Sequence, residues 1–264
     1  MKAIFITGNQ PRHAFFVSKI HKYFRECVWF TDERNNNLKS SKGTKKNSLN
    51  NHLIDLKKSE HKIFFSKIKF TKKLIKKNII QRSEFFDDSL FNKLKFMSSD
   101  YLFTYGCGKL SNKILKIKTI KNYFNLHGGL SPYYKGSITN FWPSYFLSPQ
   151  FSGMTLHKIS EDLDGGDIFF QTSSRIRKKD NINDLSMQNS KDFTLLFEKK
   201  IKSRKFFKVK NGIKQEKEYG IWRKSHLTKD HISLVYSLCS GKINNFVLKN
   251  KILISKPNLI DVYQ

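Results

Sequence analysis

Between Lys2 and Thr7 the chain runs through Ala, Ile, Phe and Ile, breaks at Gly8-Asn9-Gln10-Pro11-Arg12-His13, and then places Phe15, Phe16, Ile20 and Phe24 at helical spacing. Cys27 to Thr31 is a second short apolar run. Strand, loop, helix and strand in that order predict a βαβ unit, and hence a parallel sheet covered by helices with ligands held at its carboxyl edge. From Asn35 to Asn51 apolar residues nearly vanish in favour of Asn, Lys and Ser, which predicts a mobile loop. Phe85 to Asp88 and Leu90 to Leu94 read as helical. Tyr101 to Tyr105 reads as a strand ending at Gly106-Cys107-Gly108, with a short helix over Asn112 to Ile117. Two more strands are expected at Lys121–His127 and Gly153–Ile159, and a helix at Lys191–Lys202. If the sheet is parallel, these strand ends converge on one site. Beyond residue 204 the strand-like pieces are Phe206–Val209, Ile243–Leu248 and 252–254, with a turn at Asn211-Gly212.

The expected fold is therefore α/β: a Rossmann-like, mostly parallel sheet with helices on both faces, plus a small C-terminal β-containing appendage. The boundaries are 1–204 for a catalytic domain and 205–264 for a β-rich appendage. A chain of 264 residues is long enough to bury a core without staples. Cys27, Cys107 and Cys239 are widely spaced, without paired metal-ligand spacing, so neither a zinc site nor a disulfide framework is indicated and no metal is expected. The first nine residues read as a buried strand and not as a secretory leader. No run of about eighteen apolar residues occurs, so no membrane insertion is expected and the cytoplasm is the expected compartment.

Charge changes the picture less than its size suggests. Fifty Lys and Arg against 21 Asp and Glu give a formal +29. The basic residues are spread along the whole chain amid abundant Asn, Ile and Phe, which reads as compositional bias over a solvated surface and not as one patch for nucleic acid. Anionic substrates are easily accommodated.

The chemistry concentrates in the middle of the chain. Asn125 and His127 are two apart, so on a strand they leave the same face while Leu126 points into the core. Gly128-Gly129 and Ser131-Pro132-Tyr133-Tyr134-Lys135-Gly136 follow, a loop able to bring backbone groups and aromatic hydroxyls to a ligand. Farther on, Asp164 precedes Gly165-Gly166, and a carboxylate on such a turn can approach an imidazole unobstructed. Taken singly these are a turn Asn, a core His and a turn Asp. Together they suit acyl transfer to an amine, which needs donors for a tetrahedral oxyanion and a group to handle the proton of the attacking amine. His157 is expected to pack or to support the site, not to react.

The segment Asn125 to Gly136, followed by Gly153-Met154-Thr155-Leu156-His157 and Leu163-Asp164-Gly165-Gly166-Asp167-Ile168, resembles the signature of the folate-dependent formyltransferases over roughly residues 1 to 200. A Leu-Pro pair is usual in that family where this chain has Leu130-Ser131-Pro132, which shifts the register of the turn. The resemblance implies that Asn125, His127 and Asp164 are catalytic and that 10-formyltetrahydrofolate is the co-substrate. It further implies that Tyr105, Gly106, Cys107, Gly108 and Leu110, with Leu163 and Gly165, line the folate site.

Within that family the short C-terminal part and the Tyr133-Tyr134-Lys135 loop resemble the sugar N-formyltransferases. The implied acceptor is a nucleotide-linked amino sugar, of the 4-amino-4,6-dideoxy kind used in lipopolysaccharide biosynthesis. Gly8, Asn9, Arg12 and His13, at a strand-to-helix turn, are candidates to meet the anionic substrate together with Tyr133, Tyr134 and Lys135, because helix N-termini and Arg suit phosphates. The alternative is methionyl-tRNA formyltransferase or an RNA-binding relative, which the charge and the aromatics Phe206, Phe207, Tyr219 and Trp222 among Lys residues would serve. A glycinamide ribonucleotide transformylase is a further rival. A homodimer is compatible with the sequence, which leaves the oligomeric state open.

Overall fold

The structure is a computed structural model that describes residues 1–33, 48–68, 75–173, 175–216, 219–239, 241–252 and 255–263. Strand β1 (Lys2–Gly8) leads through α1 (Pro11–Ile20) to β2 (Glu26–Glu33), the predicted opening βαβ unit. After α2 (Ser48–Phe64) come β3 (Ile75–Gln81), α3 (Ser89–Leu94), β4 (Tyr101–Tyr105), α4 (Asn112–Leu115) and β5 (Tyr123–His127). The two-residue β6 (Lys135–Gly136), α5 (Trp142–Tyr145), β7 (Met154–Lys158), β8 (Ile168–Thr172) and the long α6 (Ile182–Lys202) complete the central layers. The chain closes with α7 (Lys205–Lys208), the two-residue β9 (Ile221–Trp222), α8 (Lys229–Cys239) and α9 (Ile243–Lys249).

Seven strands form one sheet in the order β3-β2-β1-β4-β5-β7-β8. Pairing is parallel from β3 through β5 and antiparallel from β5 to β7 and β8. Strand order reverses beside β1, so the carboxyl ends of β1, β4 and β5 open onto a crevice where ligands of such sheets bind. Successive residues of β1 feed opposite faces. Ala3 and Phe5 join Phe16, Val17, Phe103, Phe124, Phe193 and Phe197 under α1 and α6, while Ile4 and Ile6 join Leu90, Leu94, Leu102 and Ile114 on the other side. Phe5, Phe16, Phe103, Phe193 and Phe197 are fully buried, each stabilising the fold by roughly 1.5–3 kcal/mol relative to exposure. Because Phe124 and Leu126 belong to the α1/α6 side, alternation turns Asn125 and His127 to the opposite face of β5.

Several expectations need correction. Of the expected loop over Asn35 to Asn51, residues 35–47 lie outside the described residues, while Ser48 onward is the first turn of α2. The expected helix at Lys191–Lys202 is the rear half of α6, which begins nine residues earlier at Ile182. Its front half hides polar residues that break apolar periodicity. Asn183, Asn189 and Ser190 are buried there and satisfied by the His52 carbonyl, by Ser152 Oγ and by Tyr105 Oη. Phe206 and Phe207 form one helical turn, α7, after Arg204 takes the left-handed backbone at φ 59° and ends α6. Ile243, Phe246 and Val247 are spaced three and four apart, which is helical spacing, and they form α9 where a strand was expected. Of 252–254, residues 253 and 254 lie outside the described residues. The C-terminal part thus carries β9 and two isolated bridges, Ile168–Ile213 and Phe170–Asp261, and its other regular elements among the described residues are helical, joined by irregular chain.

Candidate active site

Three elements place the central residues. β5 supplies Asn125 and His127 on one face. The antiparallel pairing of β7 sets His157 opposite Asn125 and Thr155 opposite His127. Since β7 runs against β5, Asp164 does not arrive from the end of a parallel strand as expected; its turn, after Ile159 bonds the Tyr123 carbonyl, doubles back over the face of β5 that carries Asn125 and His127. Asp164 has φ 51°, a left-handed conformation that Asp tolerates better than most residues.

The side chains form one network. Asn125 Nδ2 donates to Asp164 Oδ1 at 3.1 Å and faces His157 Nε2 at 3.1 Å, and its Oδ1 accepts from Thr104 Oγ1 at 2.8 Å. His157 Nδ1 donates to the Lys158 carbonyl at 2.7 Å, and its Nε2 stands 3.4 Å from Asp164 Oδ1 as well as beside Asn125. His127 Nε2 donates to the Tyr134 carbonyl at 2.6 Å, and its Nδ1 stands 3.3 Å from Asp164 Oδ2. The Gly136 N–H donates to the same Oδ2 at 2.8 Å. His127, His157 and Asp164 are all buried.

Burial alone would raise the Asp164 carboxyl, but His127, His157 and the Gly136 N–H outweigh it and hold the group well below the usual carboxylate range. It is an anion at neutral pH. Gly129 is needed because a Cβ there would collide with the Tyr134 carbonyl and the His127 ring. Gly106, at φ 60°, meets the His13 ring in the same way.

A cavity of about 880 Å³ opens over this network. It is lined by Asn125, His127, His157 and Asp164, and by the β4 end, Thr104 to Leu110. Of the residues expected to meet the folate, Tyr105, Gly106, Cys107, Gly108, Leu110 and Leu163 line it and Gly165 does not. Of those expected to meet an anionic acceptor, Arg12 and His13 line it, whereas Gly8, Asn9, Tyr133, Tyr134 and Lys135 do not. Arg12 is bound by the buried Glu60, whose Oε1 accepts from Nη1 at 2.8 Å and from the Arg12 N–H at 3.1 Å. Tyr134 acts through its carbonyl, and Tyr133 packs on Phe151 and Tyr219. Arg82, which pairs with buried Asp32 at 2.6 Å, Lys109, Lys224 and His52 also line the cavity and were not anticipated. The His52 Nδ1–H points to Tyr236 Oη at 3.4 Å, and that hydroxyl donates to Asp55 Oδ2 at 3.2 Å. Among the described residues, no group of three or more His, Cys, Asp or Glu could hold a metal ion.

A sequence model of the family described as formyl transferase matches residues 14–194. The bifunctional polymyxin resistance protein ArnA of Wigglesworthia glossinidia brevipalpis is 33% identical over 129 residues, 46% of this chain and 18% of that protein. A methionyl-tRNA formyltransferase of Prochlorococcus marinus is 33% identical over 96 residues, 36% of this chain and 29% of that protein. The match thus spans under a third of the length of either relative. A solved sugar N-formyltransferase of a Shewanella species superposes with a TM-score of 0.56 at 17% identity, over 90% of this chain and 88% of that one. That likeness shows the α/β fold.

Proposed function

Because the chain belongs to the formyl transferase family, we propose that it moves a formyl group from 10-formyltetrahydrofolate to the amine of a nucleotide-linked amino sugar. A 4-amino-4,6-dideoxy sugar destined for surface polysaccharide is the acceptor we favour, with the reaction in the cytoplasm. The observation that carries the reading is the closed set of Asn125, His127 and Asp164 at the floor of one cavity. The cavity suits the folate. Gly106 and Gly108 keep side chains off the β4 loop, Leu110, Ile159 and Leu163 offer apolar surface to a flat ring, and the volume is that of a small-molecule site. The folate supplies the activated formyl group.

This chain's residues manage charge and protons. As the amine nitrogen bonds the formyl carbon, the carbonyl π pair moves to oxygen, and Asn125 Nδ2 and His127 Nε2 are the donors that meet it. Each is engaged internally, with Asp164, His157 or the Tyr134 carbonyl, so each exchanges one partner for the new oxyanion. Both ring nitrogens of His127 face acceptors, the arrangement of an imidazolium, and anionic Asp164 holds it in place. Asp164 also helps carry the proton that the amine gives up. When the tetrahedral centre collapses, the bond from carbon to the folate nitrogen breaks and that nitrogen takes a proton.

Methionyl-tRNA is the second acceptor to weigh, favoured by the +29 charge and by the relative from Prochlorococcus marinus. Against it, the C-terminal part is engaged with the catalytic sheet: Phe206 and Tyr263 lie in the same core as Phe103 and Phe124, and Lys224 reaches the cavity edge. The test is a transfer assay with 10-formyltetrahydrofolate against dTDP- and GDP-linked amino sugars and methionyl initiator tRNA at one salt concentration. Formylation of a sugar is expected. Formylation of tRNA alone, weakening steeply with salt, overturns the choice of acceptor.

A further inference from the structure

Residues beyond the family match reach back to the Asp164 turn. We propose that Gln215 is a positioning residue that fixes this turn in its working geometry, an inference that rests on the catalytic reading of Asp164. Gln215 Nε2 donates to the Asp164 carbonyl at 2.9 Å and to the Gly166 carbonyl at 2.7 Å. One amide thus spends both N–H bonds on two carbonyls of the same tight turn. Its own backbone is anchored nearby, where Ile213 and Ile168 exchange N–H and carbonyl at 2.8 Å in both directions.

The same stretch of chain grips the carboxylate end as well. β9 pairs with β6, and the Trp222 carbonyl accepts from Ser137 N at 2.7 Å. The neighbouring Gly136 N–H is the backbone donor to Asp164 Oδ2. Trp222 is held there by stacking on buried Trp142, with ring centroids 4.4 Å apart and planes 24° apart. The backbone of the Asp164 turn is thus held by Gln215, and the strand that carries the donor to its side chain pairs with β9. Asp164 keeps its left-handed backbone in a turn whose two carbonyls, those of Asp164 and Gly166, are tied to one Gln215 amide.

Gln215→Met keeps the length of the side chain and loses both donors. The direct readout is the pH titration of the Asp164 carboxyl carbon by NMR, with the resonance assigned by its disappearance in Asp164→Asn. Loosening the turn weakens the contacts with His127 and Gly136, so the titration of Gln215→Met moves to higher pH by about one unit relative to the parent. Transfer to a dTDP-4-amino-4,6-dideoxy sugar falls about tenfold or more in kcat, the expected effect of a small misplacement of a reacting group. KM for 10-formyltetrahydrofolate stays within a few-fold. If Gln215→Met does not fold, Gln215→Asn, one methylene short, is read in the same way. An unmoved Asp164 titration in the folded variant overturns the proposal. Asp164→Asn with parental turnover sinks the catalytic reading instead, even if the titration has moved.

Discussion

Asp164 couples the charge of the site to its stability. Its carboxyl is held well below the usual range, against the cost of burial, by His127, His157 and the Gly136 N–H. A group depressed on folding contributes stability above its unfolded value, and that contribution is lost as pH falls through the folded value. Asp164→Asn can keep the left-handed backbone, so it removes charge with little strain. It should be less stable than the parent by about 2 kcal/mol at neutral pH, with the gap closing as pH drops below the ordinary carboxylate range. Urea midpoints for both proteins across that range check this, and a gap independent of pH would mean that the charge is not stabilised. Asn125, His127 and Asp164 were legible in the sequence because a shared strand face and an Asp-Gly-Gly turn are local features. His157 was expected to pack or support the site, and it lies beside Asn125; Thr104 and Gln215 were not legible, because they enter through strand register and through chain returning from about fifty residues away.

At the scale of elements, α6 shows what periodicity catches and what it loses. Apolar residues along its rear half marked a helix, but its start is set by Asn181, whose side chain accepts from the N–H groups of Asn183 and Asp184 at 2.8 Å each, while Asp184 reaches back to the Asn181 N–H. Asn181→Ala should cost about 1 kcal/mol by chemical denaturation. No loss would indicate that packing alone holds the first turn. The opening βαβ unit and the strands at Tyr101 and Tyr123 were legible because their apolar runs are bounded by glycine or by polar turns. The reversal of β7 was not, since strand direction leaves no mark on local pattern. It is this reversal that sets His157 beside Asn125 and sends the Asp164 turn back across β5.

At the scale of the molecule, the sheet opens a crevice over β4 and β5 among the described residues, and Lys224 of the C-terminal chain lines it. Phe206 and Tyr263 fill the core beneath β4 and β5, while β9 pairs with β6 in the loop that follows β5. Short apolar clusters there were read as strands because Phe and Ile favour strands when taken alone. The spacing of Ile243, Phe246 and Val247, three and four apart, nonetheless matches the helix they form. Charge acts at this scale too: Lys109, Lys224, Arg12 and Arg82 border the cavity, two of them already paired with Glu60 and Asp32. The proposed chemistry rests on the three residues at the cavity floor. The most direct measurement is the rate of formyl transfer from 10-formyltetrahydrofolate in Asn125→Ala, His127→Ala and Asp164→Asn, with folate affinity measured on the same preparations. Turnover should drop by about a hundredfold or more in each, with affinity within a few-fold of the parent. Near-parental turnover in any folded variant would contradict the role given to that residue.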